Sequence, residues 1–351
     1  MPKLAVQPAE RAALVNSAVQ WYATQGKNIP AENIEKDFWV TEALRSLSTT
    51  LVHQITGNDG APSGFLEANI VFKGGTSLSK AHGLIDRFSE DIDLFVEVTF
   101  QQDPNPTTGT TYPKNAVGDN RADLAFRLLS DRVARDTGLQ VTEYLDKSAR
   151  SGTRRAYGAH YAGTNAVPIH LKPVVLIELT RMGSPRPNAH RDIESLLATY
   201  VHQAGITTAV FDEFQGFNVV VLEPRRTLVE KLCALEYQSL RVATGQAEFT
   251  RMARHFYDVG SLLTSKGVLA TLSQDDVIAM ASDHFALSKA VRRETGARPE
   301  GGFANSAWLT IPTAMEKAQE AYDTEVPELA YVAIPTFTDI QQLVRFQASL
   351  L

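Results

Sequence analysis

The spacing of apolar residues along the chain predicts two N-terminal helices followed by alternating strands and helices. Apolar residues recur with helical spacing in two early stretches, and a short apolar run then ends in Lys73-Gly74-Gly75. Around these glycines the predicted order is strand, turn, helix, strand. The predicted elements of this part are helices at 10–20 and 31–51, a strand at 70–72, a helix at 77–84 and a strand at 92–96.

The pattern of the following residues changes from strands to helices near residue 222. Residues 101–118 are rich in Pro, Thr, Asn and Gly, which predicts a surface loop. Beyond them we predict an amphipathic helix at 119–137 and strands at 154–162, 169–179 and 217–222. A helical pattern starts at Glu223-Pro224, where proline suits a first helical turn. We therefore place a domain boundary between residues 222 and 223, with a mainly helical second domain at 223–351.

The composition of the chain limits the classes of protein to which it can belong. With 351 residues and 44% hydrophobic content, the chain is long enough for one large core or two modest ones. The formal net charge of −6 excludes a surface that is basic throughout, so any nucleic-acid contact is local. Cys233 is the single cysteine and cannot form an internal disulfide. We find no export signal and no membrane-spanning run, and we expect a cytoplasmic protein without a membrane partner.

A pair of acidic residues suggests a metal site. Asp91 and Asp93 are two positions apart, so in a strand their side chains project from one face. Two carboxylates at this spacing can share Mg²⁺, which binds oxygen ligands and usually takes one or two carboxylates plus substrate phosphates. Mn²⁺ is the alternative ion. The competing interpretation is a solvated strand edge, which is the usual location of an isolated D-x-D pair.

The turn at residues 74–77 suggests a phosphate-binding element before these carboxylates. Gly74 and Gly75 allow a ligand to approach the backbone, and the hydroxyls of Thr76 and Ser77 add donors at a predicted helix start. The turn has neither the P-loop pattern nor the Rossmann glycine spacing. Taken alone, it is equally typical of a tight turn with a Ser or Thr cap.

The whole segment VFKGGTSLSKAHGLIDRFSEDIDLFV, residues 71–96, resembles the AbiEii/AbiGii-type nucleotidyltransferase toxins. These begin their core with G-[GS]-[ST], followed after a helix by D-x-D. Three more segments resemble family elements, namely EKDFWV at 35–40, TLVEKL at 227–232 and RHFYD at 254–258. The likeness covers most of the first 265 residues and leaves the last 85 or so unmatched.

The resemblance implies an α+β fold, with a polymerase β-like nucleotidyltransferase core whose mixed sheet is flanked by helices and whose C-terminal domain is mainly helical. It implies catalytic roles for Asp91, Asp93, Lys231 and Asp258. The implied nucleotide-binding residues are Lys73, Gly74, Gly75, Thr76, Ser77 and Arg87.

Three charged residues have two interpretations each. Lys231 lies on or beside the apolar stripe of a predicted helix, where it either extends its ammonium to solvent or acts on transferring phosphates. Asp258 follows Arg254 by one helical turn, as in a surface ion pair, but the resemblance assigns it to the active site. Glu178 interrupts an apolar strand, either as a third metal ligand or as an exposed strand end.

Two local pairs have structural interpretations. Thr227 and Glu230 have the spacing of a helix capping box. Lys36 and Asp37 are either a mutual surface pair or an ion pair that supports the core.

A group of basic residues suggests a groove for RNA. It is interleaved with Tyr157 and Tyr161, which could stack on bases. A solvated basic face is the more common meaning of such a group. Its members are Lys147, Arg150, Arg154, Arg155 and Lys172.

Together these features favour a Mg²⁺-dependent nucleotidyltransferase toxin. It would transfer a nucleoside monophosphate from an NTP to an acceptor. The resemblance implies an RNA acceptor, with the tRNA 3′ end expected, and a cognate antitoxin as partner. Transfer to a protein, or phosphoryl transfer on the same fold, is the alternative within enzymes. A nucleotide-binding regulatory module without chemistry is the alternative from another class.

Overall fold

The computed structural model describes residues 3–56, 62–89, 91–102, 117–145, 153–163, 173–206, 211–250, 252–290 and 295–351. Its contacts divide the chain into two compact units. The first, the sheet unit, comprises 1–76, 90–181 and 188–221, and the second, the helical unit, comprises 77–89, 182–187 and 222–351.

The sheet unit is built on a mixed sheet of the described strands. Its strands are β1 (Leu51–Thr56), β2 (Pro62–Lys73), β3 (Asp91–Gln102), β4 (Gln140–Glu143), β5 (Arg154–His160), β6 (Val174–Thr180), β7 (Asn188–Ile193) and β8 (Phe217–Leu222). The strand order is β4-β5-β6-β3-β2-β8-β7, and β1 pairs with β2. The central strand β3 runs antiparallel to β2 and parallel to β6. From Asp93 to Phe95, β3 has a paired strand on each side, whereas, among the described strands, Asp91 and Ile92 pair with β6 alone.

Helices cover this sheet with apolar faces. They are α1 (Pro8–Thr24), α2 (Ala31–Leu47), α4 (Val117–Thr137) and α5 (Leu196–Gln203), and α3 (Gly74–Lys80) follows β2 directly. On α4, Ala122, Phe126, Leu129 and Val133 are fully buried at helical spacing. This confirms the amphipathic helix that the sequence predicts there.

The helical unit has its own core. Its helices are α6 (Pro224–Ala243), α7 (Ala253–Thr264), α8 (Lys266–Ala270), α9 (Gln274–Ala290), α10 (Ala307–Thr310), α11 (Pro312–Leu329) and α12 (Phe337–Phe346). Phe256 of α7 lies at the centre, with ring centroids 5.0 Å from Trp308 and 5.1 Å from Phe337. Edge-to-face and tilted rings of this kind add to the stabilisation from burial.

The predicted elements agree with the described ones in kind and differ at their ends. The strand predicted at 70–72 is the end of the longer β2, and the helix predicted at 77–84 begins at Gly74 and ends at Lys80. Residues 103–116 of the predicted loop, and 169–172 of a predicted strand, lie outside the described residues. The mixed α/β fold class is confirmed. Within the described ranges, no helix is long and apolar enough to cross a membrane.

The division into units is not linear in sequence. One break falls between Val221 and Leu222, beside the predicted boundary. However, residues 77–89 and 182–187 belong to the helical unit although sheet-unit segments flank them on both sides. A single predicted boundary assigns both stretches to the first domain.

Glu42 on α2 gives the sheet unit a testable pH response. Burial raises its pKa to about 7, although Arg45, 3.0 Å away, opposes that shift. In the unfolded chain this carboxyl loses its proton near pH 4.3. The folded protein therefore holds the extra proton between these values, and stability falls as pH rises through the window.

We expect Glu42→Gln to remove this decline, which is on the order of 4 kcal/mol. Melting temperatures from pH 4 to 8 would measure it, with exposed Glu10→Gln on α1 as the control. Equal pH slopes for wild type and Glu42→Gln would show that Glu42 ionises normally.

Candidate functional site

Asp91 and Asp93 lie at the start of β3, at the centre of the sheet. Ile92 and Leu94, which alternate with them, are fully buried, whereas both aspartates are half-buried. Because successive side chains of a strand point to opposite faces, both carboxylates project from one face. We call this pair the carboxylate edge. It has the arrangement that the D-x-D spacing predicts.

Glu178 is the neighbour of Asp93 on β6. The two residues are paired in the parallel register, and Glu178 is half-buried between buried Ile177 and Leu179. Nevertheless, in the part of the chain that the structure describes, no three His, Cys, Asp or Glu side chains converge on a possible metal position. A role for Glu178 as a third metal ligand stays a prediction.

The carboxylate edge fits the requirements of Mg²⁺ as a two-ligand site. This ion commonly takes one or two protein carboxylates and completes its octahedron with substrate phosphates and water. Two aspartates on one face supply that number of hard oxygen ligands. The residues present are therefore compatible with a metal that arrives with a nucleotide.

The glycine turn is packed against the carboxylate edge. Gly74 has a φ of +76°, a conformation that side chains rarely adopt, and a Cβ atom there would collide with the carboxylate of Asp93. Such an atom would also lie 2.9 Å from Asp93 Cγ. Lys73 is directly opposite Asp93 in the β2–β3 register. Residue 74 must therefore be glycine for two reasons: its φ is positive, and its backbone lies too close to the Asp93 carboxylate to leave space for a Cβ atom.

The hydroxyls after the turn are buried. Thr76 is 2% exposed, and its hydroxyl donates to the carbonyl oxygen of Asp91 at 2.5 Å. Ser77 is fully buried. Thr76 therefore fixes the first residue of β3, and direct phosphate binding by these two hydroxyls stays a prediction.

We expect Gly74→Ala to reduce transfer by at least about tenfold, because displacing a catalytic carboxylate by a fraction of an ångström spoils its alignment. Gly26→Ala is a matched control: Gly26 has a φ of +75°, but its added Cβ would meet nothing within 4 Å. Both variants carry the same backbone strain. Equal activities for the two variants would show that contact with Asp93 is irrelevant.

In the helical unit, Arg87 and Asp258 form a buried ion pair. Arg87 is 2% exposed and Asp258 is fully buried. The guanidinium donates through Nε to Oδ1 and through Nη2 to Oδ2, each at 2.7 Å. This bidentate pair fixes the Arg87 side chain, and its contact with nucleotide stays a prediction. The interpretation of Asp258 as a surface partner of Arg254 is wrong.

Lys231 completes this group from α6. Its ammonium lies 2.7 Å from Asp258 Oδ2 and 3.0 Å from the Nδ1 atom of His255. The side chain of Lys231 is 8% exposed and that of His255 is 21% exposed. Lys231 therefore does not extend into solvent. We call Arg87, Lys231, His255 and Asp258 the cation cluster.

The cation cluster carries more positive than negative charge. Burial and, to a smaller extent, the charge of the Lys231 ammonium lower the pKa of His255 to about 3, so the imidazole is neutral at physiological pH. Burial by itself would raise the pKa of Asp258, but Arg87 and Lys231 hold that pKa well below its ordinary value. Burial lowers the pKa of Lys231, and the Asp258 carboxylate opposes that shift. Within these four residues, two cations share one carboxylate, which leaves an excess of one positive charge. A cluster with this excess favours an anionic ligand.

Backbone hydrogen bonds hold Arg87 in place. Phe88 N–H donates to the carbonyl oxygen of Leu329 at 2.8 Å, and Tyr331 N–H donates to that of Asp86 at 2.8 Å. These bonds form an antiparallel bridge between Arg87 and Ala330. The C-terminal stretch without a sequence resemblance therefore braces the segment that carries Arg87.

Two further predictions concern structural residues. The segment at 35–40 supports the core, because Glu35 pairs with Arg11 at 3.2 Å and Asp37 accepts from the backbone N–H of Leu196 at 2.7 Å. Lys36 is 1% exposed, which rules out a surface pair with Asp37.

The capping box predicted for Thr227 is wrong. The helix α6 begins at Pro224, so Thr227 is already inside it, and Glu230 pairs with Arg226 at 3.0 Å.

The predicted RNA groove is not supported at its described members. Arg155 binds two carboxylates, Asp123 at 2.7 Å and Glu143 at 3.2 Å, which neutralise it. Tyr157 and Tyr161 are 4% and 9% exposed, so the prediction that they stack on bases is wrong. Arg154 is half-buried. Lys147, Arg150 and Lys172 lie outside the described residues.

Comparisons with known proteins identify the family of this chain. A search of curated proteins gave no match. The family model described as "Nucleotidyl transferase AbiEii toxin, Type IV TA system" matches residues 59–342. This range includes the carboxylate edge, the cation cluster and most of the C-terminal stretch, in which the sequence alone showed no resemblance. It begins after the segment at 35–40. The match covers well over half of the chain, which therefore belongs to the AbiEii family of nucleotidyltransferase toxins.

Proposed function

We propose that this nucleotidyltransferase moves a nucleoside monophosphate from an NTP to an RNA acceptor, the 3′ end of tRNA, with Mg²⁺ as the metal. The observation that carries the proposal is the carboxylate edge packed against the glycine turn at Gly74. A family member needs a nucleotide and a divalent metal, and this part of the sheet unit has suitable ligands for the metal.

The proposed chemistry is an in-line displacement at the α-phosphorus. The acceptor hydroxyl oxygen forms the new bond to phosphorus, the bond to the β-phosphate oxygen breaks, and pyrophosphate leaves. Asp91 and Asp93 would hold Mg²⁺, which would neutralise phosphate charge when bound. We assign the ammonium of Lys231 to the phosphates, whose negative charge it stabilises.

Asp258 is proposed to act through Lys231. Because it is fully buried and bonded by Arg87 and Lys231, it positions the ammonium and does not contact substrate. The glycines at 74 and 75 are half-buried, and their backbone is the proposed contact with the nucleotide, together with Lys73.

The RNA acceptor rests on the family resemblance of the sequence. Because the chain is acidic, only a local patch can bind phosphates. A type IV toxin–antitoxin family also implies an antitoxin, which we propose is a separate protein encoded nearby.

The acceptor can be identified by labelling. The purified protein would be incubated with each α-labelled NTP, Mg²⁺ and a cell lysate, and the products treated with ribonuclease or protease. We expect label in tRNA-sized material that ribonuclease removes. Label that only protease removes would contradict the RNA acceptor, and full transfer in excess chelator would contradict the metal.

A further inference from the structure

The cation cluster contains one residue to which neither the sequence nor the family match assigns a role. We propose that His255 is a positioning residue that aims the Lys231 ammonium, so that one N–H remains directed at the substrate phosphate. This inference rests on the proposed function for its substrate. Its geometry rests on the helical unit alone.

The donors of the Lys231 ammonium determine how it can be oriented. A lysine ammonium has three N–H groups and no acceptor. Asp258 Oδ2, at 2.7 Å, takes one of them, and His255 Nδ1, at 3.0 Å, takes a second. Two fixed partners determine the direction of the third N–H. An ammonium with a single acceptor could rotate about its bond to that acceptor.

The imidazole is suited to accept. Its Nδ1 lies 3.9 Å from Asp258 Oδ2, too far for a hydrogen bond, so Lys231 is its partner. The neutral ring has one acceptor nitrogen and one N–H. Because Nδ1 accepts from Lys231, the proton of the ring is on Nε2. His255 therefore satisfies the ammonium without adding charge to a cluster that already has a positive excess.

The position of His255 on α7 explains why it is paired with Asp258. The two residues are three apart, so they lie on the same side of the helix. The adjacent residues Phe256 and Val259 are fully buried in the core of the helical unit. Both partners of Lys231 are thus fixed to one rigid element, which keeps their separation constant.

Three substitutions of His255 separate this role from simple packing. Leucine removes the acceptor, and asparagine places an amide oxygen near the position of Nδ1. Glutamine places its amide near Nε2 instead, so it tests the acceptor position if the leucine variant fails to fold. His284→Leu is the matched control, because His284 is a buried histidine of the same unit that bonds Thr295 at 3.1 Å.

We expect His255→Leu and His255→Gln to lower kcat by at least about tenfold, with the KM for NTP within about twofold, because misalignment affects the transition state more than the ground state. His255→Asn should recover kcat to within about threefold of wild type. In a Lys231→Met background, His255→Leu should change kcat by less than about twofold, because the ammonium that His255 orients is already absent. His284→Leu should leave kcat unchanged.

Two outcomes would overturn the inference. One is a wild-type kcat in folded His255→Leu or His255→Gln, and the other is an equal loss with Lys231 present and absent. An activity-independent readout is the NMR signal of the Lys231 ammonium, which should be visible in wild type and His255→Asn and broadened in His255→Leu and His255→Gln. If this NMR pattern holds but no α-phosphate label is transferred, the proposed function fails while the positioning geometry stands. An unchanged ammonium signal in all variants would contradict the positioning itself.

Discussion

Asp91→Asn and Asp93→Asn will each lower nucleotidyl transfer by at least about 10²-fold, because either change removes a charged metal ligand. The two side chains lie on one face of β3, and Asn keeps their size. The loss should appear in kcat, measured as α-phosphate label transferred per enzyme at saturating NTP. Melting temperatures should remain close to that of wild type, since both residues are half-buried and the buried face of β3 is unchanged.

Two acidic neighbours serve as controls. Glu97 is half-buried on the same face of β3, four residues beyond Asp93, so Glu97→Gln should stay within about threefold of wild type. Glu178→Gln should have a smaller effect than either aspartate change, because Glu178 is not gathered into a three-ligand set. A folded Asp93→Asn with near-normal turnover would rule out the metal site.

Lys231→Met will lower turnover by at least about 10²-fold while changing nucleotide affinity much less, because the lost charge acts on the transition state. Methionine retains most of the apolar stem, which packs inside the helical unit. Asp258 keeps its two bonds to Arg87, so the variant has a balanced ion pair and should fold. Single-turnover rates and NTP binding by calorimetry measure the two quantities separately.

Arg87→Ala serves as a comparison for Lys231→Met. It removes both guanidinium bonds to a fully buried carboxylate and should cost about 3–5 kcal/mol in the free energy of unfolding. We therefore expect a folding defect from Arg87→Ala and a catalytic defect from Lys231→Met. If Lys231→Met unfolds the protein and retains turnover per folded molecule, the lysine is structural.

Local patterns in the sequence predicted the elements of the carboxylate edge. Side chains alternate with period two in any strand, so the D-x-D spacing determines which face Asp91 and Asp93 share, whatever strands pair with it. The same reasoning did not detect β7, Asn188–Ile193, because most of its side chains are polar and its burial is low. An edge strand without an apolar face lacks the alternation of apolar and polar residues from which a strand is predicted.

Contacts distant in sequence could not be predicted. Arg87 and Asp258 are 171 residues apart, and their own neighbourhoods suggested a nucleotide contact and a surface pair. The visible signal was an aspartate within an apolar helix, since a buried carboxylate requires a partner. Helix α7 provides that signal at Asp258, between buried Tyr257 and Val259. The identity of its partner required the fold.

The positions at which two helices begin also differed from what their side chains suggested. Proline at 224 moves the start of α6 ahead of Thr227, so the capping spacing at 227–230 falls inside the helix. Likewise, Thr76 and Ser77 resembled exposed helix caps, but α3 begins at Gly74 and buries both. Helix α3 thus starts three residues before the predicted position 77.

The central claim is transfer of the nucleoside monophosphate, and parallel reactions with NTP labelled at the α- or the γ-phosphate test it most directly. Each reaction would contain the wild-type protein, Mg²⁺ and total RNA, and Asp93→Asn would be run beside it. The account predicts α-label on the acceptor, γ-label in released pyrophosphate, and neither with the variant. Label from the γ-phosphate on the acceptor would show phosphoryl transfer instead and contradict the account.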